Sequence, residues 1–222
     1  MPALTVVSRL AAPERPFIDI SIPVSATTPE WPGDTPFSCG WVAKRADGES
    51  VNLSQIVMSP HVGTHADAPL HVEDKWAASE TLPLSVFIGV AFVLDARDAG
   101  LTLSLEWMQE QFAGEVPERL LLRTGRSISS GDFPEEWPVL SQDSARWLVK
   151  GGTKLVGTDA PSVDERHSRT LVVHHELFLR DAFVLENLRL DEIGTGWYEL
   201  SAAPIKLVGM DAAPVRAVLR AL

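Results

Sequence analysis

Apolar and polar residues alternate over 17–23 (FIDISIP), the pattern of a half-buried strand. Residues 25–37 (SATTPEWPGDTPF) are turn material centred on Pro32-Gly33-Asp34, and 51–58 (VNLSQIVM) reads as a second strand. The rhythm then changes. The apolar runs at 90–96 (VAFVLDA), 119–124 (RLLLRT), 154–159 (KLVGTD) and 182–188 (AFVLENL) have the length of buried strands. Between them, 104–112 (SLEWMQEQF), 141–152 (SQDSARWLVKGG) and 174–181 (HHELFLRD) carry helical spacing. The middle one begins at a Ser141 cap and stops at Gly151-Gly152. Strands alternating with helices over 90–188 predict a mainly parallel α/β core, and the strand-rich first third predicts an antiparallel addition to it.

Composition narrows this picture. With 222 residues, 45% of them hydrophobic, and no linker-like stretch, one domain over 17–222 is expected, preceded by a loose arm over 1–16. A net charge of −11 without any basic run argues against nucleic acid and against an anionic membrane surface as partners. No stretch approaches the roughly 20 apolar residues of a membrane span. Cys39 is the only cysteine, which rules out an internal disulfide and a thiolate-rich zinc site. The N-terminal segment is a poor signal peptide, so the expected compartment is the cytoplasm.

The chemistry concentrates at 59–71 (SPHVGTHADAPLH), which holds three of the six histidines. Imidazole and carboxylate are ligands for zinc and similar ions, and short spacings let one segment supply several. His65 and Asp67, two apart, point the same way from an extended chain. Gly63 permits a turn that brings His61 round, and Pro69 keeps Ala68 out of helix. A pH-sensitive surface or a helix-capping network would also use such residues. A second source of ligands is 172–188, with His174, His175, Glu176 and Glu186. Glu186 lies on a strand that reads as buried, where a carboxylate needs a metal or an ion pair; Arg180 and Arg123 are the candidate partners for the latter.

His61-Val-Gly63-Thr64-His65-Ala-Asp67-Ala-Pro69-Leu-His71 resembles the HxGTHxDxPxH signature of the metal-dependent cyclase hydrolases, a family that includes kynurenine formamidases and isatin hydrolases. Seven fixed residues at set spacing make the match specific. The segments PEWPGDTPF, KLVGTDAPSVD, VLENLRLDEI and YELSAAPIKLVGMDAAPVRAVL resemble the formamidase branch, extending the likeness over about residues 17–220.

The resemblance implies an α/β fold of the swivelling β/β/α type, assembled as a homodimer. It implies two divalent metal ions per chain, zinc foremost, with manganese or cobalt as alternatives. His61, His65 and Asp67 would bind one ion, Asp67 and Glu186 would bridge both, and His174 rather than His175 would hold the second. His71 would be the catalytic acid/base and Trp31 would line the substrate pocket. The implied reaction is hydrolysis of N-formyl-L-kynurenine to L-kynurenine and formate, with opening of a cyclic amide such as isatin as the alternative. Asp159 and Asp164 are expected to shape a loop or orient ligand histidines from behind. Val72 departs from the aromatic residue many formamidases place there, and the loop 123–138 has no role carried over.

Overall fold

The computed structural model describes residues 15–112 and 114–222, so the expected N-terminal arm lies, up to residue 14, outside the described residues. In chain order the elements are β1 (Ile18–Asp19), β2 (Ser38–Ala43), β3 (Leu53–Val57), β4 (His65–Asp67), α1 (Leu84–Phe87), β5 (Ile88–Asp95), β6 (Thr102–Leu103), α2 (Leu105–Gln111), β7 (Arg119–Arg123), β8 (Val139–Leu140), α3 (Gln142–Lys150), β9 (Leu155–Thr158), α4 (Val172–Phe178), β10 (Phe183–Glu186), β11 (Gly196–Ser201), β12 (Ala212–Pro214) and β13 (Val218–Ala221).

The four apolar runs become β5, β7, β9 and β10, which pair parallel in that order at the centre of a nine-stranded sheet. Helices α2, α3 and α4 lie on the connections between them, as parallel pairing requires. Met108, Leu148, Val173 and Leu177 from these helices pack on Leu120, Val156 and Val184 of the sheet. The opposite face carries a second core around Phe87, Val93, Leu121, Leu185 and Leu200. At Gly157 the packing leaves no room for a side chain, because an added Cβ would sit 2.5 Å from Leu121 Cδ2. Ser104 and Ser141 cap α2 and α3 by accepting the N–H groups of Trp107 and Ser144.

The antiparallel additions differ from expectation. β1 and β4 do join the main sheet, but so do the C-terminal strands β11, β12 and β13, giving the order β1-β13-β11-β5-β7-β9-β10-β4-β12. The strand expected over 17–23 shortens to β1 plus a bridge from Ser21 to Leu188. Among the described residues β3 pairs only with β2, in a separate ribbon. Its alternating side chains find no core to enter: every residue of β3 is exposed, and Trp41, Leu53 and Ile56 are each more than half accessible. Alternation marks a strand but does not say which sheet it joins.

The helix expected over 174–181 begins at Val172 and ends at Phe178. Its start is set at a distance. The Asp164 carboxylate accepts the N–H groups of Val173 and His174 at 3.0 and 3.1 Å, a cap supplied from nine and ten residues upstream.

Candidate metal centre

β4 builds the site. It pairs antiparallel with β10 on one side, setting His65 opposite Glu186, and on the other with β12, which begins just after Asp211. His65 and Asp67 project to one side of β4, and α4 delivers His174 from its first turn. Gly63, at φ +74°, lies where a Cβ would come within 2.6 Å of Val24, and its turn brings His61 alongside.

Two carboxylates therefore face two imidazoles in a region closed to solvent. Asp67 Oδ1 lies 3.2 Å from His65 Nε2, and Asp67 Oδ2 lies 3.1 Å from His174 Nε2. Glu186 makes the same pair of approaches, Oε2 to His65 at 3.5 Å and Oε1 to His174 at 3.4 Å. His61 Nδ1 adds a contact to Asp67 Oδ1 at 3.1 Å. Asp67 is 0% exposed, His174 1%, His65 2% and Glu186 3%. The salt-bridge alternative for Glu186 fails, since Arg180 pairs with Glu176 and Arg123 with Asp95.

The outer ring nitrogens are committed. His65 Nδ1 lies 2.9 Å from the Gly63 carbonyl, and His174 Nδ1 lies 2.7 Å from Asp164 Oδ2. With a proton on each Nδ1 for those bonds, both Nε2 atoms turn lone pairs toward the carboxylates unless a cation lies between. His65 Nε2 and Asp67 Oδ1 are buried and, among the described residues, without a hydrogen-bond partner. Unpaired buried acceptors facing each other are costly, so the donor set fits a cation.

The electrostatics agree. Burial opposes ionisation of Asp67, but the imidazoles of His61, His65 and His71 hold its carboxyl well below the usual range. Burial and the Asp67 charge push Glu186 upward, and the adjacent imidazoles of His174 and His65 more than offset them. Burial likewise disfavours the charged form of His61 and His65, yet Asp67 raises them to about 10 and about 9. Without a metal, the cluster collects protons in its place. Two overlapping groups, His61-Asp67-His71 and His65-Asp67-Glu186, each bring their ligand atoms within 4.8 Å of one another.

His71 is at the rim. Its ring centroid is 4.5 Å from that of His61, and its side chain is 30% exposed. Trp31 lines the adjoining cavity of about 270 Å³ together with Phe133, Pro161, Leu171 and the cluster histidines. Phe133 and Trp137 hold Trp31 edge-on at 5.4 and 6.0 Å. Loop 123–138 thus supplies one wall of the cavity. Asp159 fixes the start of that loop by accepting the N–H groups of Thr124 and Gly125. His175 is not brought to the cluster and packs edge-on against Trp76.

Three residues were not singled out from sequence. Asp211 Oδ2 accepts from His61 Nε2 at 3.0 Å and lies 3.3 Å from His71 Nδ1, and these two contacts hold its carboxyl far below the usual range. Only the β12–β4 pairing brings it there across 140 residues of chain, so no local spacing announces it. Phe133 sits in a loop without periodicity. Asn187, beside Glu186, adopts φ +54° and lines the cavity with its Oδ1 unpartnered. A left-handed non-glycine next to a buried ligand candidate is a signal that coordinates reveal and sequence hides.

The chain matches the family model described as "Putative cyclase" over residues 18–165. It is 43% identical over 204 residues to a kynurenine formamidase of Bordetella avium, covering 92% of this chain and 97% of that one. A solved structure described as a predicted metal-dependent hydrolase from Bacillus stearothermophilus superposes with a TM-score of 0.79 at 28% identity, covering 93% of this chain and 98% of the other. An isatin hydrolase bound to thioisatinate superposes with a TM-score of 0.78 at 22% identity over 91% of each chain, a likeness of fold. With two thirds of its length matched by the family model and a close relative along nearly all of it, the chain belongs to the cyclase family of metal-dependent hydrolases.

Proposed function

We propose that this protein hydrolyses N-formyl-L-kynurenine to L-kynurenine and formate. The observation that carries the reading is a buried cluster of imidazoles and carboxylates at the floor of a cavity walled by Trp31 and Phe133, in a chain 43% identical to a kynurenine formamidase. His61, His65, Asp67, His174 and Glu186 would hold two divalent cations, with zinc the first choice for nitrogen and oxygen donors without thiolate. Such ions, when bound, supply a water ionisable near neutral pH and an electrophile for the formyl oxygen.

The chain's own groups do the rest. Trp31 and Phe133 flank the aryl ring and exclude water from one side of it. Asp211 holds His71 through Nδ1, which leaves Nε2 as the proton-carrying atom. His71 takes a proton from the attacking water and delivers it to the aniline nitrogen as the C–N bond breaks, because an anilide anion is a poor leaving group. Asp164 keeps His174 oriented. The exposed apolar ribbon of β2 and β3 supports a homodimer that covers it. The single cysteine supports a reducing, cytoplasmic setting.

The test is direct: the purified protein is assayed for release of formate from N-formylkynurenine, with metal content measured on the same sample. Turnover by protein carrying divalent metal supports the reading, and absence of turnover in metal-loaded protein overturns it.

A further inference from the structure

Residues Trp31, Pro32, Gly33 and Asp34 form a turn closed by the Asp34 N–H donating to the Trp31 carbonyl at 2.9 Å. Proline second and glycine third, with Gly33 at φ +94°, is the pattern of a type II turn, whose end residues lie within about 7 Å of each other. The turn presents both ends to one place: Trp31 and Asp34 line the same cavity. Asp34 Oδ1 accepts the Thr35 N–H at 2.6 Å, which steadies the carboxylate and leaves Oδ2 uncommitted. Among the described residues, no lysine, arginine or histidine forms an ion pair with Asp34. Among the described residues it is also the one carboxylate lining the cavity outside the metal cluster, and no lysine or arginine among them lines that cavity.

The cavity therefore has an aromatic wall, a cation-seeking floor and a single anionic group beside the wall. An aryl ring seated on Trp31 brings a short side chain on that ring to Asp34. We propose that Asp34 binds a primary ammonium group on the substrate's side chain, and that the site recognises this amine without recognising a neighbouring carboxylate. The inference deepens the formamidase reading and rests on it: N-formylkynurenine carries both groups on one carbon. The ammonium meets Asp34 in a charge-assisted hydrogen bond. The carboxylate, with no lysine or arginine among the described residues lining the cavity and with the floor taken by the formyl group, stays in water at the mouth. A tail bearing only a carboxylate meets Asp34 as a like charge.

The consequence is a preference for the amine alone. Initial rates are measured on the wild-type enzyme for N-formylkynurenine, for its decarboxylated amine, for its deaminated acid and for unsubstituted formanilide. The decarboxylated amine is expected within about threefold of N-formylkynurenine in kcat/KM, and the deaminated acid at least about tenfold lower, mainly through KM. In Asp34→Asn the ratio between amine and deaminated acid is expected to shrink about tenfold. A wild-type enzyme that uses the two equally, or an Asp34→Asn variant that keeps the wild-type ratio, overturns the proposal, and the wild-type comparison requires no variant to fold. Failure of metal-loaded wild type on all four compounds would overturn the formamidase reading itself, a result distinct from hydrolysis of formanilide with indifference to the amine.

Discussion

His65 Nε2 and Asp67 Oδ1 face each other at 3.2 Å in the sealed floor of the site, and neither has a hydrogen-bond partner among the described residues. Only a cation between them relieves the contact, and a proton and a metal ion compete for that position. Asp67 holds the cation-free His65 protonated to about pH 9 and His61 to about pH 10, against the opposing effect of burial. Metal must therefore displace protons at neutral pH. Calorimetric titration of metal-stripped protein at pH 7, in buffers of different ionisation enthalpy, should show release of more than one proton, with apparent affinity rising as pH rises. Binding without proton release would contradict this electrostatic picture.

His71 and His65 should separate on mutation. His71→Ala should keep its metal and lose on the order of 10²–10⁴ in kcat, the usual worth of general acid–base catalysis. His65→Ala should lose metal along with activity, leaving buried Asp67 and Glu186 short of a partner. His71 also lies close enough to His61 and Asp67 to act as a ligand. Elemental analysis of His71→Ala decides between the roles, and loss of metal would refute the acid/base assignment.

His175 supplies the control on the neighbouring position. Its ring packs on Trp76, 5.6 Å between centroids, and it makes no contact with the cluster among the described residues. His175→Ala should retain metal content and most of kcat/KM while lowering the melting temperature by a few degrees, roughly the effect of losing about 1 kcal/mol of packing. Loss of metal in this variant would show that the ligand was misassigned.

Substrate choice follows from the cavity wall. We expect kcat/KM for N-formylkynurenine at least about tenfold above that for isatin, which corresponds to about 1.4 kcal/mol of differential transition-state binding. Trp31→Ala and Phe133→Ala should each erode the preference mainly by raising KM, since both rings border the cavity and contact each other. A side-by-side assay that favours isatin would overturn the substrate assignment and leave the metal centre standing.

Much of the site was legible because one strand and its flanks carry it. His61, His65, Asp67 and His71 fall within eleven residues, and the alternation of β4 sends His65 and Asp67 the same way. Glu186 stood out as an acid inside an apolar run. Asp211 did not, because its role depends on the register of β12 against β4, a pairing that no local pattern encodes. Phe133 was hidden for a related reason: loop geometry, not periodicity, brings it to Trp31. The parallel core was readable from four apolar runs separated by helices. The ribbon β2–β3 and the C-terminal strands were not, since alternation is common to any half-buried strand and does not name its neighbour.

The central claim is that hydrolysis needs the cations these residues would hold. Its most direct test is stepwise return of divalent metal to chelator-stripped protein while formate release from N-formylkynurenine is followed. The account predicts no turnover in the stripped protein and recovery that levels off at about two equivalents per chain, the capacity of a site with two shared carboxylates. Full activity in protein shown by elemental analysis to contain no metal would contradict it.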